Sequence, residues 1–359
     1  MYKAYSKHII GGKCVLPDSI TKIEDLSFFS FKELTSIDIP DSVVEIGKSA
    51  FYGCTGLTSI KIPNSVKVIG NHAFYECTGL TSINIPNSVT RIECGAFSRC
   101  KGLKAIEIPD SVMMIETIAF EQCTGLTSVV IPDSVTIIGP YAFYGCTGLT
   151  TIEIPNSVKV IEGSAFENCT GLTSIEIPDS VMRIEDRAFN GCTGLDRIEV
   201  DNNNLSYCSV NNCCLSKDMK TLVFGCKNSC IPDSVMKIMM NAFKDCSGLA
   251  FIEIPNSVTE IGEEAFRGCT GLTSIEIPDS VTEIGLQAFY YCTGLKQVIL
   301  NIIKKKPSES ESFLNRVLEA FDPHINLTVH IPIGTGYAYR HYPGFDQERL
   351  TFVPCKQNK

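Results

Sequence analysis

The residues in this chain best able to do chemistry are its cysteines. Eighteen occur in 359 residues, enough for a metal array, a redox relay or a disulfide framework. Their spacing decides among these. Ten fall at 54, 77, 100, 123, 146, 169 and 192, then at 246, 269 and 292, in steps of 23 within each run. One thiol per regular unit is the placement of a small buried hydrophobe at a tight corner, its S–H turned to a neighbouring carbonyl. Stacked thiols would come within bridging reach, but closing a disulfide would distort each unit. Five more crowd one stretch: Cys208, Cys213, Cys214, Cys226 and Cys230. Zinc would call for Cys-x2-Cys or mixed Cys/His spacing; neither is there, and no His is near. Structural thiols are the favoured reading, ahead of a local disulfide and of zinc.

The five histidines, His8, His72, His324, His330 and His341, are scattered without ligand spacing. They define no Ser–His–acid grouping. No Gly-x-x-x-x-Gly-Lys phosphate loop occurs, and the glycines follow the same 23-residue step as the cysteines. The sequence therefore assigns no catalytic residue, no cofactor and no metal ligand, and it reads as a non-enzyme.

The step itself is the larger signal. Eleven Pro-(Asp/Asn)-Ser-(Val/Ile) segments start at Pro17, Pro40, Pro63, Pro86, Pro109, Pro132, Pro155, Pro178, Pro232, Pro255 and Pro278, and a Phe follows eleven residues after each, from Phe28 to Phe289. Within a unit, Leu57, Ile60 and Ile62 fit Leu-x-x-Leu-x-Leu, the strand signature of leucine-rich repeats. These three are expected to point inward, and Thr58, Ser59 and Lys61 outward. Pro63-Asn64 turns the chain. Val66 and Ile69 predict a second short inward-facing strand, and Ala73-Phe74 a brief helical turn. The Ser of every unit, Ser19 to Ser280, predicts a hydrogen-bonded ladder that satisfies turn backbone. One unit cannot bury its own apolar edge, so stacked neighbours must make one continuous core. Each buried Phe or Leu then contributes about 1.5–3 kcal/mol. The predicted fold is a right-handed leucine-rich-repeat solenoid of about eleven coils, mostly short parallel strands with brief helical turns.

The segment Cys269-Thr270-Gly271-Leu272-Thr273-Ser274-Ile275-Glu276-Ile277-Pro278-Asp279-Ser280-Val281-Thr282-Glu283-Ile284-Gly285 through Ala288-Phe289 resembles the BspA-like leucine-rich-repeat family. The resemblance covers about residues 14–300. Ser209 to Phe224 resembles a hairpin insertion common in that family, one that carries apolar residues where Cys213 and Cys214 stand here. Val329 to Tyr337 resembles its C-terminal closing segment. The family resemblance implies a bacterial or protist protein displayed at the cell surface, with roles in adhesion, host matrix binding and cell–cell contact. The first unit departs from the pattern: Phe31 stands for the Cys, Glu33 for the Gly and Ser27 for the Ala, as terminal repeats do when they cap a core.

Along the chain, residues 1–13 read as an N-terminal cap and 14–300 as the solenoid, interrupted by a hairpin insertion at about 201–230 with strands near 213–216 and 221–224. Residues 301–359 read as a C-terminal capping segment. Within it, Lys304 to Ser310 is a linker, 311–321 a docked helix with Phe313, Leu314, Val317, Leu318 and Phe321 on one face, and Leu327 to Ile331 a strand that shields the last edge.

The outward strand column reads Asp38, Lys61, Asn84, Glu107, Val130, Glu153, Glu176, Glu199, Glu253, Glu276 and Ile299. Like charges opposite one another on neighbouring strands are mildly destabilising, yet Glu153, Glu176 and Glu199 stand on successive coils. The candidate ligand-binding face is Glu107, Glu153, Glu176, Glu199, Phe251, Glu253 and Glu276. The bland alternative is that unit duplication copied a solvated Glu. A second variable surface is the outer corner, at Asn71-His72, Thr117-Ile118, Pro140-Tyr141 and Asp186-Arg187.

The formal net charge is −9, which argues against nucleic acid, because phosphate binding takes clustered Lys and Arg. No apolar run approaches the roughly 18 residues of a membrane span, and the start, Met1 to Ile10, lacks an apolar stretch of signal-peptide length. The expected function is adhesion or binding of a protein, such as a host matrix or cell-surface protein, or of a glycan, by a monomer at the cell surface. A cytoplasmic protein-interaction scaffold of the same geometry is the alternative.

Overall fold

The computed structural model describes residues 9–301, 313, 316, 317, 319–322, 325, 327–332 and 350–355. The chain forms two compact units, Met1–Leu195 with Asp201–Asn204, and Asp196–Val200 with Leu205–Lys359.

In the first unit the register is the sequence period. Ser59–Lys61 pairs in parallel with Ser82–Asn84, residue for residue at a separation of 23, and Ala105–Glu107 pairs with Ser128–Val130 in the same way. Leu57, Leu80 and Leu103 are buried, whereas Thr58, Thr81 and Lys104 are exposed. A second ladder of two-residue strands runs through Lys22–Ile23, Glu45–Ile46, Val68–Ile69 and Arg91–Ile92. It is the short inward-facing strand expected from Val66 and Ile69, and its Ile residues are buried.

The core between these ladders is a column of rings. Phe28, Phe51, Phe74, Phe97, Phe120, Phe143, Phe166 and Phe189 stack at 5.1–5.7 Å between centroids with planes within 10°. Beside it runs the thiol column. Each S–H donates to the carbonyl of the Phe 26 residues earlier, for example Cys100 to Phe74 at 3.0 Å and Cys146 to Phe120 at 3.1 Å. The Ser column is bonded in part: Ser65 donates to the Val43 carbonyl at 2.6 Å and Ser134 to that of Val112 at 2.7 Å, whereas the hydroxyls of Ser42 and Ser88 are buried without a partner among the described residues.

The brief helical turn at Ala73-Phe74 is not a helix. Two residues per coil sit in the left-handed region, His72 at φ 53° and Glu76 at φ 59°, and Ile118, Gln122, Tyr141, Ser164, Asn168 and Arg187 repeat the pattern. Left-handed residues cannot continue an α-helix. They turn alternate N–H groups toward the next coil: His72 donates to Cys94 O, Phe74 to Ala96 O and Glu76 to Ser98 O. Ala73, Tyr75 and Cys77 keep three-residue turns to Gly70, His72 and Phe74. This side of the coil is therefore a third inter-coil ladder, built from turns.

In the second unit, Tyr207–Val210, Cys213–Ser216 and Thr221–Gly225 form an antiparallel meander, one strand more than the expected hairpin. Thr221–Gly225 then pairs in parallel with Lys237–Ile238, and the ladder continues through Glu260–Ile261 to Glu283–Ile284. Rings again stack, Phe243 on Phe266 at 5.0 Å and Phe266 on Phe289 at 5.0 Å. Phe321 extends the stack, 4.6 Å from Phe289. The described residues 313, 316, 317, 319 and 320 are helical, and Phe313, Val317 and Ala320 are buried. The linker at Lys304 to Ser310, with Leu314 and Leu318, lies outside the described residues, as does the closing segment beyond Pro332. Gln297–Asn301 pairs in parallel with Leu327–Pro332, and that strand with Leu350–Cys355. These two strands lack the Pro-Asp-Ser motif, so the turns number about thirteen rather than eleven.

Candidate binding face

Alternation along each strand fixes the face. With Ile60, Ile106, Ile152 and Ile175 buried, the residues on either side of each point outward. Two outward columns therefore run up the coils: a Ser/Thr column at Ser59, Ser82 and Ser128, and the predicted acidic column two residues further on. Thr hydroxyls edge the sheet and bind back to the coil below, Thr81 to Thr58 O at 3.3 Å and Thr127 to Lys104 O at 3.0 Å.

In the first unit Glu107, Glu153 and Glu176 are exposed, and none forms an ion pair among the described residues. Charges on the second ladder are treated differently: Lys22 bridges to Glu45 at 2.8 Å, and Arg183 to Glu162 at 3.5 Å and to Glu185 at 2.9 Å. At the start of the acidic column Lys13 neutralises Asp38 at 3.1 Å. The structure also brings in a column that periodicity did not single out. The Asp or Asn after each turn Pro lies three residues past the Glu position and faces the same side. Asp110, Val130, Asp133, Glu153 and Asn156 surround a hollow of about 570 Å³ with no Lys or Arg in its lining. Val130 is 58% exposed at its rim. The legible signal was the recurring Glu-x-Pro-Asp, which puts two carboxylates on one edge.

In the second unit the predicted residues divide. Glu199 pairs with Arg197 and is half-buried, so its charge is compensated. Phe251, Glu253 and Glu276 come together around one hollow of about 300 Å³, with Asn256, Ser274, Gln297 and Ile299. Glu276 is braced: Asn301 Nδ2 donates to its Oε1 at 2.6 Å, and His330 Nδ1 lies 2.9 Å from Asn301 Oδ1. Asn301 and His330 carry no motif, and only the pairing of Asn301 with His330 on adjacent strands reveals the chain.

The outer corner is largely occupied with its own packing. Phe29, Tyr52 and Tyr75 stack at 4.7 and 4.6 Å, and Arg99 sits over Tyr75 at 5.4 Å. Asn71 binds Glu93 through both its backbone and its side-chain nitrogen, at 3.1 and 2.8 Å.

Among the described residues no group of three or more His, Cys, Asp or Glu is disposed to hold a metal ion, and the cysteines from Cys14 to Cys292 form no disulfide. Cys213 and Cys214 are buried, taking the apolar role of their strand, while Cys230 is exposed. Ladder thiols are held protonated. Burial pushes Cys54, Cys123, Cys169, Cys246 and Cys292 up to about 12, and it raises Cys77, Cys100, Cys146 and Cys269 well above the ordinary thiol value. Thiols so shielded are neither nucleophiles nor ligands.

No helix among the described residues is long and apolar enough to cross a membrane. Two solved structures are similar over most of their length. A leucine rich cell surface protein from Faecalibacterium prausnitzii is 29% identical with a TM-score of 0.61, over 91% of this chain and 89% of that one. A leucine-rich repeat protein from Bacteroides ovatus is 29% identical with a TM-score of 0.60, over 88% and 83%. No curated protein matches. Residues 3–127, 114–231 and 224–329 match the BspA type Leucine rich repeat region. With nearly the whole repeat array covered by that match and the same coil seen in the coordinates, the chain belongs to the BspA-type leucine-rich-repeat family.

Proposed function

We propose that this chain is a non-enzymatic adhesion module at the cell surface, which engages a protein or glycan through its strand face. One observation carries the reading: Glu107, Glu153 and Glu176 are exposed and form no ion pair among the described residues, whereas Glu45, Glu162 and Glu260 on or beside the second ladder are bridged. Glu153 and Glu176 sit on successive coils, about 4.8 Å apart along the stack. Their mutual repulsion is a standing cost that a cationic partner removes. The similar surface protein of F. prausnitzii supports the location. Thiols buried at full coil depth are protected from oxidants, so their number does not favour the cytoplasm over the surface.

The test is an array of extracellular-matrix proteins and glycans probed with the purified chain and with the triple variant Glu107→Lys, Glu153→Lys, Glu176→Lys. The wild type binds at least one class, more weakly as salt rises, and the variant loses at least tenfold in affinity. A wild type that captures nothing, or a variant that binds as well, contradicts the proposal.

A further inference from the structure

The hollow of the second unit has a more specific chemistry than the face as a whole. Its shape comes from one size mismatch. Phe251, Ser274 and Gln297 occupy the same strand position on three successive coils, and Ser274 is by far the smallest. A pit opens above Ser274 between the Phe251 ring and the Gln297 side chain. Buried Ile252, Ile254 and Ile275 form its floor, and Glu253, Glu276 and Ile299 stand along the neighbouring column.

Three features define what fits. Phe251 is 68% exposed, an isolated aromatic face on an otherwise polar strip. Glu253 and Glu276 stand one coil apart beside it, and no lining residue is cationic. Glu276 is held in place by Asn301, itself held by His330; since Asn301 Nδ2 is used on Glu276, its Oδ1 accepts from His330 Nδ1. A fixed carboxylate next to a free aromatic face is complementary to a planar cation. A guanidinium stacks on the ring face, and its edge N–H groups reach a carboxylate in the fork geometry that an ammonium cannot match. The aliphatic stem of such a side chain covers the Ile floor and Ile299. A neutral sugar would use the ring but leave two adjacent carboxylates unneutralised.

Resting on the strand face as the binding surface, we propose that this hollow is the anchor site for one arginine side chain of an extended basic peptide segment on the partner. Phe251 supplies the stacking face, Glu276 the forked acceptor and Glu253 the second charge. Asn301 and His330 are positioning residues that act through Glu276.

The test uses the whole chain and a fluorescein-labelled Gly-Ser-Arg-Gly-Arg-Gly-Ser peptide, read by fluorescence anisotropy at low salt. Its comparator is the same peptide with citrulline in place of arginine, which keeps the shape and removes the charge. The arginine peptide binds at least tenfold more tightly than the citrulline one. Phe251→Ala and Glu276→Gln each weaken it about tenfold, Asn301→Ala weakens it less, and Glu263→Gln, at an exposed corner of the same unit, leaves it unchanged. Thermal melts of all four variants verify that the fold survives. Equal binding of the two peptides, indifference to Phe251→Ala, or an equal loss with Glu263→Gln would overturn the site. So would chitin-type oligosaccharides bound at the hollow in place of the peptide. Failure here with a positive matrix or glycan array discards the arginine site alone; failure of both discards the strand face as well.

Discussion

Between pH 9 and about pH 10.5 the chain should unfold, losing stability on the order of 10 kcal/mol, more than its neutral-pH structure gives any outward sign of. The cause is the thiol column. In an unfolded chain these cysteines titrate near 9.0, whereas burial holds the folded thiols at about 12 or well above the ordinary value. The neutral thiol is the form the core accepts. Below pH 9 both states are protonated and this stability is fully present. Above it the unfolded state sheds protons that the folded state keeps, so each step up in pH favours unfolding. By pH 10 each thiol contributes about 1 kcal/mol to that shift. Nine acting together reach the 5–15 kcal/mol by which domains are typically stable. Urea midpoints measured from pH 7 to 10.5 check this. Replacing three of the nine, with Cys100→Ala, Cys123→Ala and Cys146→Ala, should lower neutral-pH stability but flatten the alkaline slope by about a third. A chain whose urea midpoint is the same at pH 8 and pH 10.5 would show that the thiols are not buried as a column.

The second large effect is at the ring stack. Phe143 is fully buried, with Phe120 at 5.3 Å and Phe166 at 5.4 Å on its two sides. Phe143→Ala should cost about 3–5 kcal/mol, the transfer of the ring plus a cavity that rigid neighbouring coils cannot close. Coils interact mainly with nearest neighbours, so the loss should appear first as raised hydrogen exchange in the coils around residues 120–166. Phe143→Leu, which keeps most of the volume, should cost much less. A Phe143→Ala variant within 1 kcal/mol of wild type would mean that the rings are not packed on one another.

The period of 23 made most of this fold legible. Leu57, Leu80 and Leu103 on the inside, Ser65, Ser134 and Ser157 bonded to Val carbonyls and thiols turned to Phe carbonyls all follow from one residue type at one position, repeated. The turn ladder was hidden because its left-handed positions carry His72, Ile118, Tyr141 and Arg187. Side chains of that kind give no hint of positive φ, and the usual signal appears only on some coils, at Gly53, Gly95, Gly145, Gly191 and Gly268. A helical turn was the reasonable reading of Ala-Phe beside such residues. Of the two extra turns, the strand at Leu327 to Ile331 was legible, whereas Leu350–Cys355 escaped because pairing to an existing edge needs only an extended segment, without the motif. On the binding face, the columns were readable and the hollows were not. A hollow depends on which neighbours are small, as Ser274 is between Phe251 and Gln297, and on braces such as His330 that come from a strand outside the repeat.

The central claim is that a partner meets the outward strand column rather than the outer corner. Carbodiimide labelling of carboxylates, quantified residue by residue with and without the matrix protein or glycan captured on the array, measures it directly. The partner is expected to shield Glu107, Glu153 and Glu176 while Asp186 and Glu263, exposed at the corners, label as before. Shielding of Asp186 and Glu263 with the strand column still fully reactive would contradict it.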